Sequence, residues 1–551
     1  MKENRFLSTI ILLLIASLAS FARDFQYLGI NYTVIDEVDC VCMTKAGFGG
    51  RQPVNDVSGD ITIPYEVFDG GNRYIVKEIG SYSFDKNNKI TSISIPASVT
   101  TIGEGAFRCC RSLTSVILPN SIKTIPKRAF YYCSALSSIE FSASLNFIGE
   151  AAFEGTNLST ISLPNSLETI EKLAFYNSSL TSVYIPENVK SVGAGAFSCE
   201  IFVAINNPLF MSLYGVLYNK DKSQLVLYPA GLEFNPDVLN NVTGIGDGAF
   251  YGCKMTSIEI PATIKTMGEW IFENCTSLES AVLSPSINYI PTGTFSNCRN
   301  LQNVEIPNTT EEIKDAAFHA CSSLSNIVIP NSVQVIGDPY NVNNGYGVFS
   351  TCTSLRNIEI PASVTKIGNE CFAYSGLESI IIPNSVTKIG DGCFCGTGLE
   401  SIVLPNSIME IGKYAFNYCM NLHKVVISEN VTDLYATFDF CYKLKEIIYL
   451  SAHPIIAEKN IFPDEVYFNA TLYLREDAIA EAKTTLPWSL FKQVKAYELS
   501  GINEVITDLN SDLPTEIFTL EGFKVETSLE TLSKGVYVFR HGSKSWKVAI
   551  N

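Results

Sequence analysis

One phenylalanine recurs along most of this chain at a nearly fixed interval, and that interval decides what the chain can fold into. It stands at Phe84, Phe107, Phe130, Phe153, Phe175 and Phe197, then at Phe250, Phe272, Phe295, Phe318, Phe349, Phe372, Phe394, Phe416 and Phe438. Most steps are 22 or 23 residues. The surroundings recur too: IPASVTTIGEGAFRCCRSLTSVILP from Ile95, IPASVTKIGNECFAYSGLESIIIP from Ile360 and IPNSVTKIGDGCFCGTGLESIVLP from Ile382. A period of this length marks a repeat array in which each unit is one supersecondary element. Two steps are longer, 53 residues from Phe197 to Phe250 and 31 from Phe318 to Phe349. The second carries an insertion, DPYNVNNGYG, from Asp338 to Gly347. The first holds a diverged repeat with a predicted hairpin, GVLYNKDKSQLVLYP, whose turn falls near Asn219 to Ser223.

Each unit carries seven apolar posts, here Ile382, Val386, Ile389, Phe394, Leu399, Ile402 and Leu404. So short a segment cannot bury them alone, and stacking neighbours at strand spacing closes a continuous core. The spacing Leu-x-x-Ile-x-Leu is that of a leucine-rich-repeat strand. Ile402 and Leu404 alternate with Ser401 and Val403 and share one strand face. Pro405 ends the strand because it offers no N–H to the ladder. Gly390 is expected in a turn with positive φ. The predicted fold is a right-handed leucine-rich-repeat solenoid with a parallel β-sheet along one side.

The IPxSVTxIGxxAFxxCxxLxxI pattern resembles the BspA-like leucine-rich-repeat (LRR_5-type) surface proteins of bacteria, over residues 77–450. The segment NPLFMSLYGVLYNKDKSQLVLYPAG, Asn207 to Gly231, is similar to an insert found within that family. The resemblance implies a secreted or surface-attached protein that binds host proteins, other microbes or matrix. It brings no catalytic residues.

The flanks read differently. Residues 1–22 form an export signal: Lys2 and Arg5, an apolar run from Ile10 to Ala16, and small Ser20 and Ala22 before the expected cleavage. That run is too short to span a bilayer, and no later segment is long enough. Residues 23–76 are expected to cap the N-terminal end of the array. Residues 451–500 cap the other end as strand, short helix and strand, with Trp488 and Phe491 as buried plugs. Residues 501–551 form a separate small β unit of short alternating strands with Gly turns. Its Ile517, Leu520, Gly522, Lys534 to Val538, Gly542 and Lys547 resemble the type A C-terminal sorting domain of the type IX secretion system. That resemblance implies a small β-sandwich recognised at the outer membrane. Trp546 and Asn551 depart from its usual ending, and a plain terminal β domain is the alternative.

Composition narrows the chemistry. With 39 Lys+Arg against 56 Asp+Glu the 551-residue chain carries a formal charge of −17, which argues against a nucleic-acid partner. Only four His are present. Nine of the 16 Cys follow the repeat Phe by three residues, from Cys110 and Cys133 to Cys441, and Cys371 and Cys393 precede it by one. A ladder position is a packing position, so free buried thiols are expected rather than disulfides. Metal binding is the alternative; its close pairs are Cys40-Val-Cys42, Cys109-Cys110 and Cys393-Phe-Cys395, and none has a paired CxxC. There is no GxSxG, HExxH, GxxxxGK[ST] or helix-opening GxGxxG. His319 and Cys321 are near in sequence, but the repeat sends Cys321 inward and His319 into a turn. No cofactor, no metal and no enzymatic activity are expected.

The expected function is therefore non-enzymatic protein binding or adhesion at the cell surface. Alternatives are a carbohydrate-binding or degrading accessory, with its chemistry in the inserts at 198–246 (Phe210, Tyr214, Tyr218 and Tyr228) or 338–348, and a structural surface-layer spacer. In each strand the residue between the two inward posts should face out. These run through Ser94, Ile117, Glu140, Ser162, Tyr184, Glu259, Val282, Glu305, Val328 and Glu359. The last four, Ile381, Val403, Val426 and Ile448, are all apolar and form the candidate binding surface. The plainer alternatives are β-propensity alone, or a fold-back of 451–500 over the stripe.

Overall fold

The computed structural model describes residues 23–36, 41–44, 55–338, 340, 346–455, 459–497, 515–519, 535–541 and 544–550. The expected export signal at 1–22, Cys40 and the start of the sorting segment lie outside the described residues. Two compact units divide the chain, residues 1–232 and 233–551.

Each unit is a stretch of right-handed parallel solenoid, and each has two rows of parallel strands where the sequence suggested one. In the second unit the expected row contains Ser257–Glu259, Ser280–Val282 and Asn303–Glu305, and farther on Ser401–Val403, Lys424–Ile427 and Glu446–Tyr449. A further row of two-residue strands pairs Tyr289–Ile290, Glu312–Ile313, Val335–Ile336, Lys366–Ile367, Lys388–Ile389 and Glu410–Ile411. The same two rows recur in the first unit, for example Ser92 to Ser94 on Ser115–Ile117 and Thr124–Ile125 on Phe147–Ile148. The second row exists because backbone polar groups on every side of a buried coil need partners. Two residues per strand leave too little alternation for a periodicity argument to find.

The turn around the repeat Phe is laddered as well. In the coil of Phe416, the N–H groups of Tyr414, Phe416 and Tyr418 donate to the carbonyls of Tyr435, Thr437 and Asp439 in the next coil. The residues two before and two after the repeat Phe take left-handed backbone in all coils but two, among them Arg128 and Tyr132, Glu370 and Tyr374, and Tyr414 and Tyr418; the exceptions are Cys199 and Gly347. That alternation aims successive N–H groups along the stack. Gly390 does not serve this purpose. Its φ is not positive; a Cβ there would lie 2.5 Å from the Asn369 nitrogen. Close approach of the neighbouring coil, rather than turn conformation, demands the glycine. The left-handed position is Gly392, at φ +57°.

The core is a stack of phenylalanines. Within each unit adjacent rings lie 5.1 to 5.5 Å apart with planes within 20°. Offset aromatic pairs of this kind gain roughly 0.5–1.5 kcal/mol beyond burial. The cysteine three residues on packs beside them. Its Sγ–H donates to the Phe carbonyl of the preceding coil, as in Cys133 to Phe107 (3.0 Å), Cys298 to Phe272 (3.1 Å) and Cys441 to Phe416 (3.0 Å).

Strands cover the N-terminal end of the first unit's stack and the C-terminal end of the second unit's. Gly59–Thr62 pairs parallel with Ile90–Ser94, and Asn72–Ile79 pairs with Thr101–Ile102, so the segment before the first repeat closes the edges of both rows. At the other end Thr471–Leu474 and Gln493–Ala496 extend the first row, and Phe462 extends the ring stack, 5.4 Å from Phe438. Trp488 and Phe491 are buried there, with the indole N–H donating to the Ile455 carbonyl at 2.8 Å. The described part of 501–551 is one antiparallel meander, Thr515–Thr519, Gly535–His541 and Lys544–Ile550. The sequence suggested a sandwich; the second sheet that a sandwich needs is not among the described residues.

Candidate binding surface

Strand alternation places Ile402 and Leu404 in the core and Val403 on the outside. Val403 pairs in register with Val426, Val426 with Ile448 and Ile448 with Tyr473; Glu359 bridges to Ile381. Val403, Val426 and Ile448 therefore lie along one row, and Ile381 holds the same repeat position one coil earlier, where the Glu400 N–H donates to the Glu378 carbonyl. Their exposure is unequal. Ile381 is 55% exposed and Val403 41%, Val426 is half-buried, and Ile448 is only 7% exposed. The strand Thr471–Leu474 of the terminal segment continues the sheet beside Ile448, and cover increases toward that end. For Ile448 the outward-facing expectation therefore fails.

Other outward positions are apolar too. Ile117 and Val328 are 60% and 73% exposed, and in the first unit Tyr184 pairs with Phe202, both well exposed. Phe202 escaped the sequence reading because its repeat is diverged and lacks the usual posts. The signal that could have found it is the alternation Glu200, Ile201, Phe202, Val203.

The insert aromatics do not form a platform. Phe210, Tyr218 and Tyr228 are buried in the hairpin core, and only Tyr214 is exposed. The insertion at Asp338 to Gly347 is anchored at its described ends. Lys388 lies over the Tyr340 ring at 4.0 Å, and Tyr346 packs on His319 at 4.4 Å. His319 Nδ1 lies 2.8 Å from Ser350 Oγ, while Cys321 donates to the Phe295 carbonyl. Burial lowers the imidazole pKa and raises that of the thiol, the reverse of what an activated Cys–His pair requires.

The fourteen cysteines from Cys109 to Cys441 are all free, and twelve are buried. Burial pushes the thiols of Cys275 and Cys352 up to about 12. No group of three His, Cys, Asp or Glu among the described residues could hold a metal ion. A shallow polar groove of about 570 Å³ runs across successive turns past Ser286, Thr309 and Ser363. The hydroxyls of Ser286, Thr309 and Ser363 donate to backbone carbonyls of the preceding coil, so these three are committed to the stack.

No helix among the described residues is long and apolar enough to cross a membrane. No curated protein matches the chain. Solved structures do. A leucine rich cell surface protein from Faecalibacterium prausnitzii is 27% identical, covering 61% of this chain and 94% of that one, with a TM-score of 0.42. A leucine-rich repeat protein from Eubacterium ventriosum is 26% identical over 63% and 93%, TM-score 0.42. The pneumococcal vaccine antigen PcpA is 20% identical over 87% and 99%, TM-score 0.42. The BspA type leucine rich repeat region matches residues 77–201, 235–344 and 342–469. With repeats of that one type over well more than half of its length, the chain belongs to the BspA type leucine rich repeat family.

Proposed function

We propose that the chain is an exported recognition protein of the bacterial surface that binds a protein partner through the outer face of its first strand row, centred on Ile381, Val403, Val426 and the margin of Ile448. The observation that carries this is the exposure of Ile381 and Val403, 55% and 41%, on a regular sheet face. Solenoids characteristically use such extended faces for recognition, and apolar side chains left on them favour a partner. The apolar run before Ala22 supports export, and the Leu-Glu-Gly and Lys-Gly-Val-Tyr-Val matches in 501–551 support delivery by a type IX system.

The test is the double substitution Val403→Ser with Val426→Ser, assayed against immobilised matrix proteins and bacterial cells. Partner binding weakens about tenfold or more while the melting temperature hardly moves. A large loss of stability with binding unchanged would show internal packing and overturn the reading. Delivery is tested separately by deleting 502–551 in the native host. The truncated protein accumulates inside the outer membrane; normal surface delivery refutes the sorting assignment.

A further inference from the structure

The face that carries Ile381 and Val403 is electrically polarised along its length. From Ser257 to Val403 the outward strand positions, and the residue just before each strand, include Glu259, Glu279, Glu305, Glu359, Glu378 and Glu400, all exposed, against the single base Arg356. From Lys424 to Lys495 the same positions hold Lys424, Lys445, Lys492 and Lys495, against the single acid Glu446. Two of these charges are matched within the chain, Arg356 to Glu378 at 3.1 Å and Lys424 to Glu446 at 3.0 Å. No ion pair among the described residues joins Glu259, Glu279, Glu305, Glu359 or Glu400 to a base, or Lys445, Lys492 or Lys495 to an acid. The face is thus acidic at one end, basic at the other, and apolar where the two halves meet.

We infer that this face docks a second copy of the same chain, antiparallel, about a two-fold axis near Ile381 and Val403. This rests on the reading of the strand face as a contact surface and names its occupant. A two-fold axis places the same patch on both partners. Here it lays Glu279 and Glu305 of one copy toward Lys445, Lys492 and Lys495 of the other, and repeats that match by symmetry. A parallel arrangement would set acid on acid and base on base, which is repulsive. The exposed apolar residues fall at the axis, where the interface core belongs.

The size of the patch is consistent with a modest dimer. Strands about 4.8 Å apart give roughly 50 Å from Glu259 to Lys495. With a width of about 10 Å, some 500 Å² per copy is covered, about 1,000 Å² in all, the lower limit for a specific interface. Such a dimer depends on its charges and so on ionic strength.

Sedimentation velocity of the full chain tests this. At about 50 mM salt the protein sediments as a concentration-dependent dimer, and at about 500 mM as a monomer. Lys445→Glu with Lys495→Glu gives a monomer at low salt, as does Glu279→Lys with Glu305→Lys. An equimolar mixture of the two variants restores the dimer, because every swapped acid then faces a swapped base. Unchanged circular dichroism and melting temperature establish that both variants fold. A wild-type chain that stays monomeric at low salt, or variants that fail to complement each other, overturns the inference. If partner binding nevertheless falls in Val403→Ser with Val426→Ser, the contact-surface reading stands and only the self-docking is wrong. If neither changes, both are wrong.

Discussion

Replacing Phe394 by alanine tests the stacked core directly. Phe394 is fully buried, with Phe372 at 5.4 Å and 8° on one side and Phe416 at 5.1 Å and 9° on the other. Truncating a buried Phe costs about 3–5 kcal/mol through lost transfer energy and the cavity left behind. Two ring contacts vanish as well, each worth roughly 0.5–1.5 kcal/mol. The upper half of that range is therefore expected, about 4–5 kcal/mol. Phe394→Leu, which keeps most of the volume, should cost much less. The backbone hydrogen bond from Phe394 N–H to the Ala415 carbonyl survives either change, so the damage comes from packing. Solenoids couple mainly nearest neighbours, so loosening should centre on the coils of Phe372 and Phe416 and fade beyond them. Hydrogen exchange with peptide-level resolution reads this profile. Uniform loosening of the whole unit, or no loosening, would refute the stacked reading.

Two further outcomes follow from titratable groups. Glu154 is half-buried and its pKa is raised to about 7, chiefly by burial, with Arg128 opposing and Glu150 adding to the rise. The folded state therefore holds a proton that the unfolded state releases between about pH 4.5 and 7, and stability falls as pH rises through that window. Glu154→Gln should remove this slope and stabilise the protein above pH 7 by about 1–2 kcal/mol, after allowance for solvent screening. Urea titrations at pH 5 and pH 8 check it; an unchanged slope in the variant would count against it. Alkylation of the native protein at pH 8, mapped by mass spectrometry, should label Cys109 and Cys395, the half-exposed thiols between Cys109 and Cys441, and spare the buried ladder until denaturant is added. Recovery of bridged peptides between Cys110 and Cys133 would show that the ladder is oxidised.

The fold was legible because the Phe period is long, regular and locked to an apolar pattern that only stacking can bury. What stayed hidden was carried by very short or non-local signals. The second strand row rests on pairs such as Lys388 and Ile389, too brief to show a period. The need for Gly390 comes from the Asn369 nitrogen one coil away, which no local turn rule contains. Ile381 and Val403 are exposed and Ile448 is covered, a difference that alternation alone does not contain and that the sequence held only as the alternative of residues 451–500 covering the stripe. The segment from 451 reads as a break in the pattern because its spacing changes. Its Phe462 nonetheless continues the ring stack.

The insertion before Phe349 shows where this architecture tolerates growth. Between Phe318 and Phe349 the chain is 31 residues long instead of 22 or 23. Even so, the two rings lie 5.3 Å apart at 5°, and Val335–Ile336 pairs in register with Lys366–Ile367. In sequence the extra residues fall at one corner of the repeat, after the second-row strand Val335–Ile336 and before the turn of Phe349. Lengthening a loop there costs only the slowly growing entropy of closing it, about 0.6 kcal/mol per doubling. The equivalent corner of every other coil, such as that between Gly390 and Asp391, is thus a splice point. A lineage can gain a new surface loop there, and an engineer can graft one, without disturbing the register of either row.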